Sequence, residues 1–424
     1  MRHGIHLVAI GSLLSGQQAA LAETVVITHA KAWTMTATEP VENATIVITD
    51  GKITSVAPGG TVPSAARLID AKGRAVTPGL ISAATHLGLL EVSNATETVD
   101  TGVKSGSLGA TFDVQYAINA NSTLIQLARA DGVSRAITYP AHSGVAPISG
   151  TGVLLRLFDS NDLVDRPGIG VFAVIGARSS SDAGGSRAAQ WKLLRNVLDA
   201  AKTGLAAPAS PTTRTPEFLA LEPLLAGKVR LGLSVNRESD IRQAIELASD
   251  YTLKVVIIGG AEAWMAADAL AAARIPVILD PEANLPGSFD ELGARLDNAS
   301  LLHEAGATVA TVVVENGIQQ SYNAGLSMRE GAGLAVANGL PYIDGLKSIT
   351  SNPAQIWGIA DRCGTIANGR DADLVIWDGD PLEPSTLAVT VLIAGKEVSP
   401  VTHQTELRDR YLSKAGLEGA APRP

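Results

Sequence analysis

Short apolar runs recur along the middle of the chain: "SRAITYP", "GVFAVIG", "VRLGLSV", "LKVVIIGG", "IPVILD" and "ATVATVVV", with Ala-rich helical stretches between them. Strands that alternate with helices pair in parallel, because each helix carries the chain back across the sheet. So many in succession close most readily into a (β/α)8 barrel. With a first strand within "VTPGLISAATHLGLLEVS", ahead of His86, they supply seven barrel strands. The fourth is expected between Val174 and Lys228, where "SRAAQWKLLRNVLDAAKTGL" reads as a helix and no strand is evident. "GVLLRLFDSNDLV" (Gly152 to Val164) reads as an extra strand or hairpin inserted after strand two.

The flanks follow a different rule. "TVVITHAKAWTM" and "ATIVITDGKITSVAPGG" alternate apolar and polar residues around Asp50-Gly51, the signature of a hairpin. "DADLVIWDGDPLEPSTLAVTVLIAGKEV" does the same near the other end. The expected fold is therefore α/β: a TIM-like barrel over 76–362, a small β-sandwich built from 23–75 and 363–401, and a C-terminal tail over 402–424. A chain of 424 residues suits one large barrel with a minor domain. The first 22 residues read as a secretory signal. Arg2 and His3 give a basic start, Leu7 to Leu14 an apolar run too short to span a bilayer, and Ala20-Leu21-Ala22 a cleavage pattern. The mature chain is expected to start at Glu23 and to be exported, to the periplasm.

Composition narrows the partners. A formal charge of −9 argues against a nucleic-acid or anionic-membrane surface, which needs clustered Lys and Arg. A small-molecule substrate or ligand is expected instead, with no membrane insertion after signal cleavage. The single cysteine, Cys363, excludes an internal disulfide and a cysteine-based zinc cluster.

"AVTPGLI" leads out of the first β block, and "SITSNPAQIWGIADRCGTIANGRDADLVIWDGDPL" leads into the second. With "AINANSTLIQLARADGVSRAITYP", "GGAEAWMAADALAAARIPVIL" and "LPGSFDELGARLDNASLLHEAGATV" between them, the chain resembles the amidohydrolase superfamily, and more narrowly its exported, imidazolonepropionase-related branch. The closing segment is the most specific part and reads as a fold signature: Asn352-Pro353 ends a barrel helix, Gly369 sits at a turn, and Asp371 to Asp373 begin a strand. The resemblance implies hydrolysis by a water bound to one or two divalent metals, with an acid/base carboxylate moving the proton.

It also implies ligands at the C-terminal strand ends: His-x-His after strand one, a carboxylated Lys or a Glu after strand four, His after strands five and six, and Asp after strand eight. Here the His-x-His position reads Ala84-Thr85-His86. Strand five offers Ser234 and Asn236, strand six Gly259-Gly260 and Glu262, and strand eight Glu315 and Asn316. The barrel span holds three histidines, His86, His142 and His303, and the last belongs to a helix, so a four-histidine site cannot be assembled. A reduced site remains open, with His86 and His142 as metal ligands, Glu315 as the catalytic carboxylate, and one zinc ion or none. Glu91, near the same rim, reads as solvated. "GARSSSDAGGS" reads as a loop above the barrel mouth, and "SGVAPISGTG" as a turn within the inserted hairpin. Two functions stay open: a divergent hydrolase acting on a C–N bond of a small molecule or dipeptide, and a catalytically silent barrel that binds a ligand or partner.

Overall fold

The alternating flanks and the apolar runs form two separate sheets. The computed structural model describes residues 23–103, 108–142, 147–158, 160–180, 183–207, 215–283, 285–313 and 324–414. The expected signal (1–22), most of the "APASPTTRTP" linker, Glu315 and Asn316 lie outside the described residues.

The N-terminal block forms β1 (Thr24–Ala32), β2 (Val41–Thr49), β3 (Lys52–Pro58), β4 (Arg67–Asp70) and β5 (Ala75–Pro78). The barrel wall is β6 (Leu80–Thr85), β7 (Val133–Thr138), β8 (Ile148–Arg156), β9 (Val164–Val174), β10 (Arg230–Val235), β11 (Val255–Gly259), β12 (Val277–Leu279) and β13 (Val309–Thr311). The C-terminal block adds β14 (Leu374–Trp377), β15 (Ala388–Ile393) and β16 (Lys396–Glu397).

Both ends of the chain share one sheet, ordered β16-β15-β14-β5-β1-β2-β3, with β4 beside β1. The join is antiparallel, Leu374↔Pro78 to Ile376↔Val76. At the far edge Lys52 bridges to Asp371 just ahead of β14, so the two faces of the expected sandwich are parts of one rolled sheet. Its inward side chains, among them Ile27, Ile46, Ile53, Val76, Leu374 and Leu392, form a single core.

In the barrel, strand residues alternate between two cores, as a period of two requires of strands buried on both faces. Val171, Leu231, Leu233, Val255 and Ile257 face the surrounding helices. Phe172, Val256, Ile258 and Ile278 face inward. Among the described residues the expected fourth strand is absent. β9 and β10 pair directly and in parallel from Gly170↔Arg230 to Val174↔Ser234, which leaves no gap for another strand, and helices fill the interval. The eighth strand of the wall is β8, antiparallel to both β7 and β9. The inserted element is thus part of the barrel, and Gly150 and Gly152 lie within a strand rather than in a turn.

Among the described residues, no strand pairing joins β13 to β6. The signature segment spans that seam instead: Ile81 N–H donates to the Ile349 carbonyl at 2.9 Å, Asn352 Nδ2 to the Val309 carbonyl at 2.8 Å, and Trp357 Nε1 to the Ala83 carbonyl at 2.8 Å. Asn352 and Pro353 open the helix Ser351–Ile356 rather than ending one, and an early helical turn tolerates proline because its N–H has no partner there anyway.

The other half of the signature fastens the rolled sheet to the barrel. Arg135 of β7 is fully buried and donates to Asp373 (2.9 Å), Asp165 (3.0 Å) and Asp371 (2.5 Å). Lys52 also binds Asp371, and Arg156 binds Asp373. Burial opposes ionisation of Asp371, yet Lys52, Arg156 and Arg135 hold its pKa below the usual carboxylate value. The tail assigned to 402–424 begins with an exposed helix, His403–Lys414.

Candidate active site

The C-terminal ends of β7 and β9 to β12 surround a cavity of 370 Å³, the face on which a barrel of this kind presents its functional residues. Its floor is aromatic. From the barrel interior outward, Trp357 and Phe172 have ring centroids 5.5 Å apart, Phe172 and Tyr139 5.0 Å, and Tyr139 and His86 4.6 Å. Glycines make room for this column: a Cβ on Gly152 would lie 2.5 Å from Phe172 Cε2, and one on Gly232 2.6 Å from Phe172 Cδ1.

His86 caps the column. Its Nδ1 lies 2.8 Å from the Tyr139 carbonyl, which only accepts, so Nδ1 carries the proton and Nε2 keeps its lone pair. Burial lowers its pKa, against the smaller opposing effect of the Tyr139 bond. The neutral ring is therefore favoured. His142 lines the same cavity, so the structure brings both predicted histidines to one site. Glu315, the predicted carboxylate, lies outside the described residues. His303 sits on the helix Asn298–Glu304 with Nε2 3.7 Å from Asp344, away from the cavity. Glu91 accepts from Asn119 at the surface.

Three carboxylates that the sequence did not single out line the cavity: Asp280, Asp290 and Glu291. Asp280 directly follows β12, and the rule that residues just past a barrel strand reach the rim would have found it. Its neighbour Glu282 has its carboxyl pushed up to about 7 by burial and by the nearby charges of Asp280 and Glu330. Ser179, from the serine-rich stretch, is buried in the cavity wall rather than free above it, where Gln190 Nε2 donates to its Oγ at 2.6 Å.

Asp290 and Glu291 belong to a strap, 285–297, that crosses the strand ends. Asp290 accepts from Ala177 N–H at 2.6 Å and from Arg187. Glu291 accepts from Asn236 Nδ2 at 3.0 Å, and Gly293 N–H donates to Glu262 at 2.9 Å. Residues expected at ligand positions are thus engaged otherwise: Asn236 holds the strap, and Glu262 accepts two backbone N–H groups, from Glu238 and Gly293. Gly259 has φ +94°, and a Cβ there would press on Asn236 Oδ1, so a histidine at this position would strain the backbone and displace Asn236.

The fold is thus a TIM-like barrel with a second, β-sheet domain and a cavity at the C-terminal ends of the barrel strands. Residues 284–402 match the amidohydrolase family. The chain is 26% identical over 370 residues to the imidazolonepropionase of Acidiphilium cryptum (strain JF-5), covering 81% of this chain and 89% of that one. It is 47% identical over 57 residues to the amidohydrolase tasK of Hapsidospora irregularis, a match spanning 13% of this chain and only 6% of that protein. An amidohydrolase from Thermotoga maritima MSB8 superposes with a TM-score of 0.80 at 22% identity, covering 88% of this chain and 99% of that one.

Proposed function

We propose that the cavity is the active site of a divergent hydrolase that cleaves a C–N bond in a small molecule or dipeptide. One observation carries this reading: His86 is partly buried, fixed through Nδ1, and left with the Nε2 lone pair at the barrel mouth. His86 takes a proton from water as the water oxygen bonds to the substrate carbon, and the leaving nitrogen collects that proton as the C–N bond breaks.

The residues present do not fit a metal pair. Ala84 presents a buried methyl group, Gly259 offers no side chain, and Asn236 and Glu262 are committed to the strap. Among the described residues, no three metal-ligating side chains converge. His86 and His142 are the residues that would hold a single zinc, whose chemistry is a bound water of lowered pKa.

The second reading, a silent barrel that binds without turnover, draws support from the same commitment of Asn236 and Glu262 to holding the strap. Metal content after dialysis against a mild chelator, with turnover of a panel of amides and dipeptides, separates the cases. His86→Ala is expected to lower turnover at least about a hundredfold with ligand binding retained. Two metal equivalents held by the wild type would overturn the proposed site. Ligand binding at the cavity with no turnover in the wild type would establish the silent barrel.

We also read residues 1–22 as an export signal that takes the protein to the periplasm. N-terminal sequencing of the exported protein is expected to begin at Glu23; an intact Met1 form accumulating in the cytoplasm would refute export.

A further inference from the structure

The strap that closes one side of the cavity is two-faced. Ser288, Asp290 and Glu291 line the cavity, whereas Leu285, Phe289 and Leu292 are 79%, 82% and 63% exposed. Large apolar side chains are common singly on protein surfaces, but three within eight residues of a strap pinned in place form a patch that calls for an occupant. Flexibility of the strap does not explain the exposure, because Asp290, Glu291 and Gly293 tie it to the ends of three strands.

The chain alternation fixes where the patch lies. Phe289 is flanked by two residues of the cavity wall, so the apolar surface starts within one residue of the mouth. A cavity of 370 Å³ holds a small head group. A longer substrate that leaves on the strap side meets these apolar residues. We propose that the substrate is amphipathic: the head that carries the scissile C–N bond sits in the cavity, and an alkyl or aryl substituent lies against Leu285, Phe289 and Leu292. Val174, Ile175 and Ala283 give the cavity wall apolar surface of its own. This inference rests on the cavity being the active site, and it assigns Phe289 and Leu292 to specificity rather than to chemistry.

The test is calorimetric binding of N-acyl glycinamides, from acetyl to octanoyl, below their aggregation concentrations. Each methylene added to a chain that contacts the strap is expected to tighten binding about twofold or more. In the double variant Phe289→Ser/Leu292→Ser that dependence should flatten, while acetyl-glycinamide binds as before. Both positions are exposed, so an unchanged melting temperature verifies folding. Equal chain-length dependence in the variant, or none in the wild type, overturns the proposal. So does a dimer in the wild type that the variant dissociates, since the patch is then an interface between copies. The catalytic reading fails separately, through binding of the series without hydrolysis of any member.

Discussion

Arg135→Met is expected to destabilise the protein by about 3–5 kcal/mol, because it leaves buried carboxylates without their shared cation. Asp371 and Asp373 are 5% and 4% exposed, and methionine fills the space of the guanidinium without meeting their charge. Lys52, Arg156 and Arg362 remain, but Lys52 is half-exposed and none of them reaches all three acids that Arg135 joins. Denaturant unfolding measures the loss; a cost below about 1 kcal/mol would show that the neighbouring cations suffice. The pH dependence has a definite sign. A carboxylate with a depressed folded pKa contributes stability above its unfolded pKa of about 4 and loses it as pH falls through the folded value. Removing Arg135 raises the folded pKa of Asp371, so the onset of acid unfolding should move to higher pH in the variant.

Phe172→Ala is expected to cost a similar amount, about 3–5 kcal/mol, and to impair turnover as well. The ring fills the barrel axis between Trp357 and Tyr139, and strands with glycine at positions 152 and 232 have no side chains with which to collapse into the void. Because Tyr139 rests on Phe172 and supports His86 by both its ring and its carbonyl, loosening the column disturbs the base from below. Thermal melting and turnover of the same preparation check both effects. A variant of full stability would show that the column is not the barrel's filling, and normal turnover in a destabilised one would separate His86 from it.

The strands were legible where apolar residues run together, since burial on both faces selects Val, Ile and Leu without polar interruption, as in "KVVIIG". The count of eight went astray at β8. Its glycines lower strand propensity and resemble a turn, but Gly150 lies against Phe112 and Gly152 against Phe172, contacts made by distant parts of the chain. His86 could be placed because it follows a strand end directly. Asp290 and Glu291 could not, because their position depends on hydrogen bonds to Ala177 and Asn236, far away in sequence. The Asp371-Ala372-Asp373 motif was visible as a fold signature, but its buried partner Arg135 lies inside an ordinary strand pattern.

The sheet shared by the two ends of the chain sets an order of assembly. β5 emerges early in synthesis, but its partner β14 appears roughly 300 residues later, so this pairing carries one of the largest loop-closure costs in the domain. Until β14 arrives, β5 keeps an open hydrogen-bonding edge and Arg135 waits without Asp371 and Asp373. Truncation before Leu374 should therefore leave the nascent chain exposed to aggregation along its whole length. The last strands act as a latch, and the barrel is secured only once the chain has returned to its beginning.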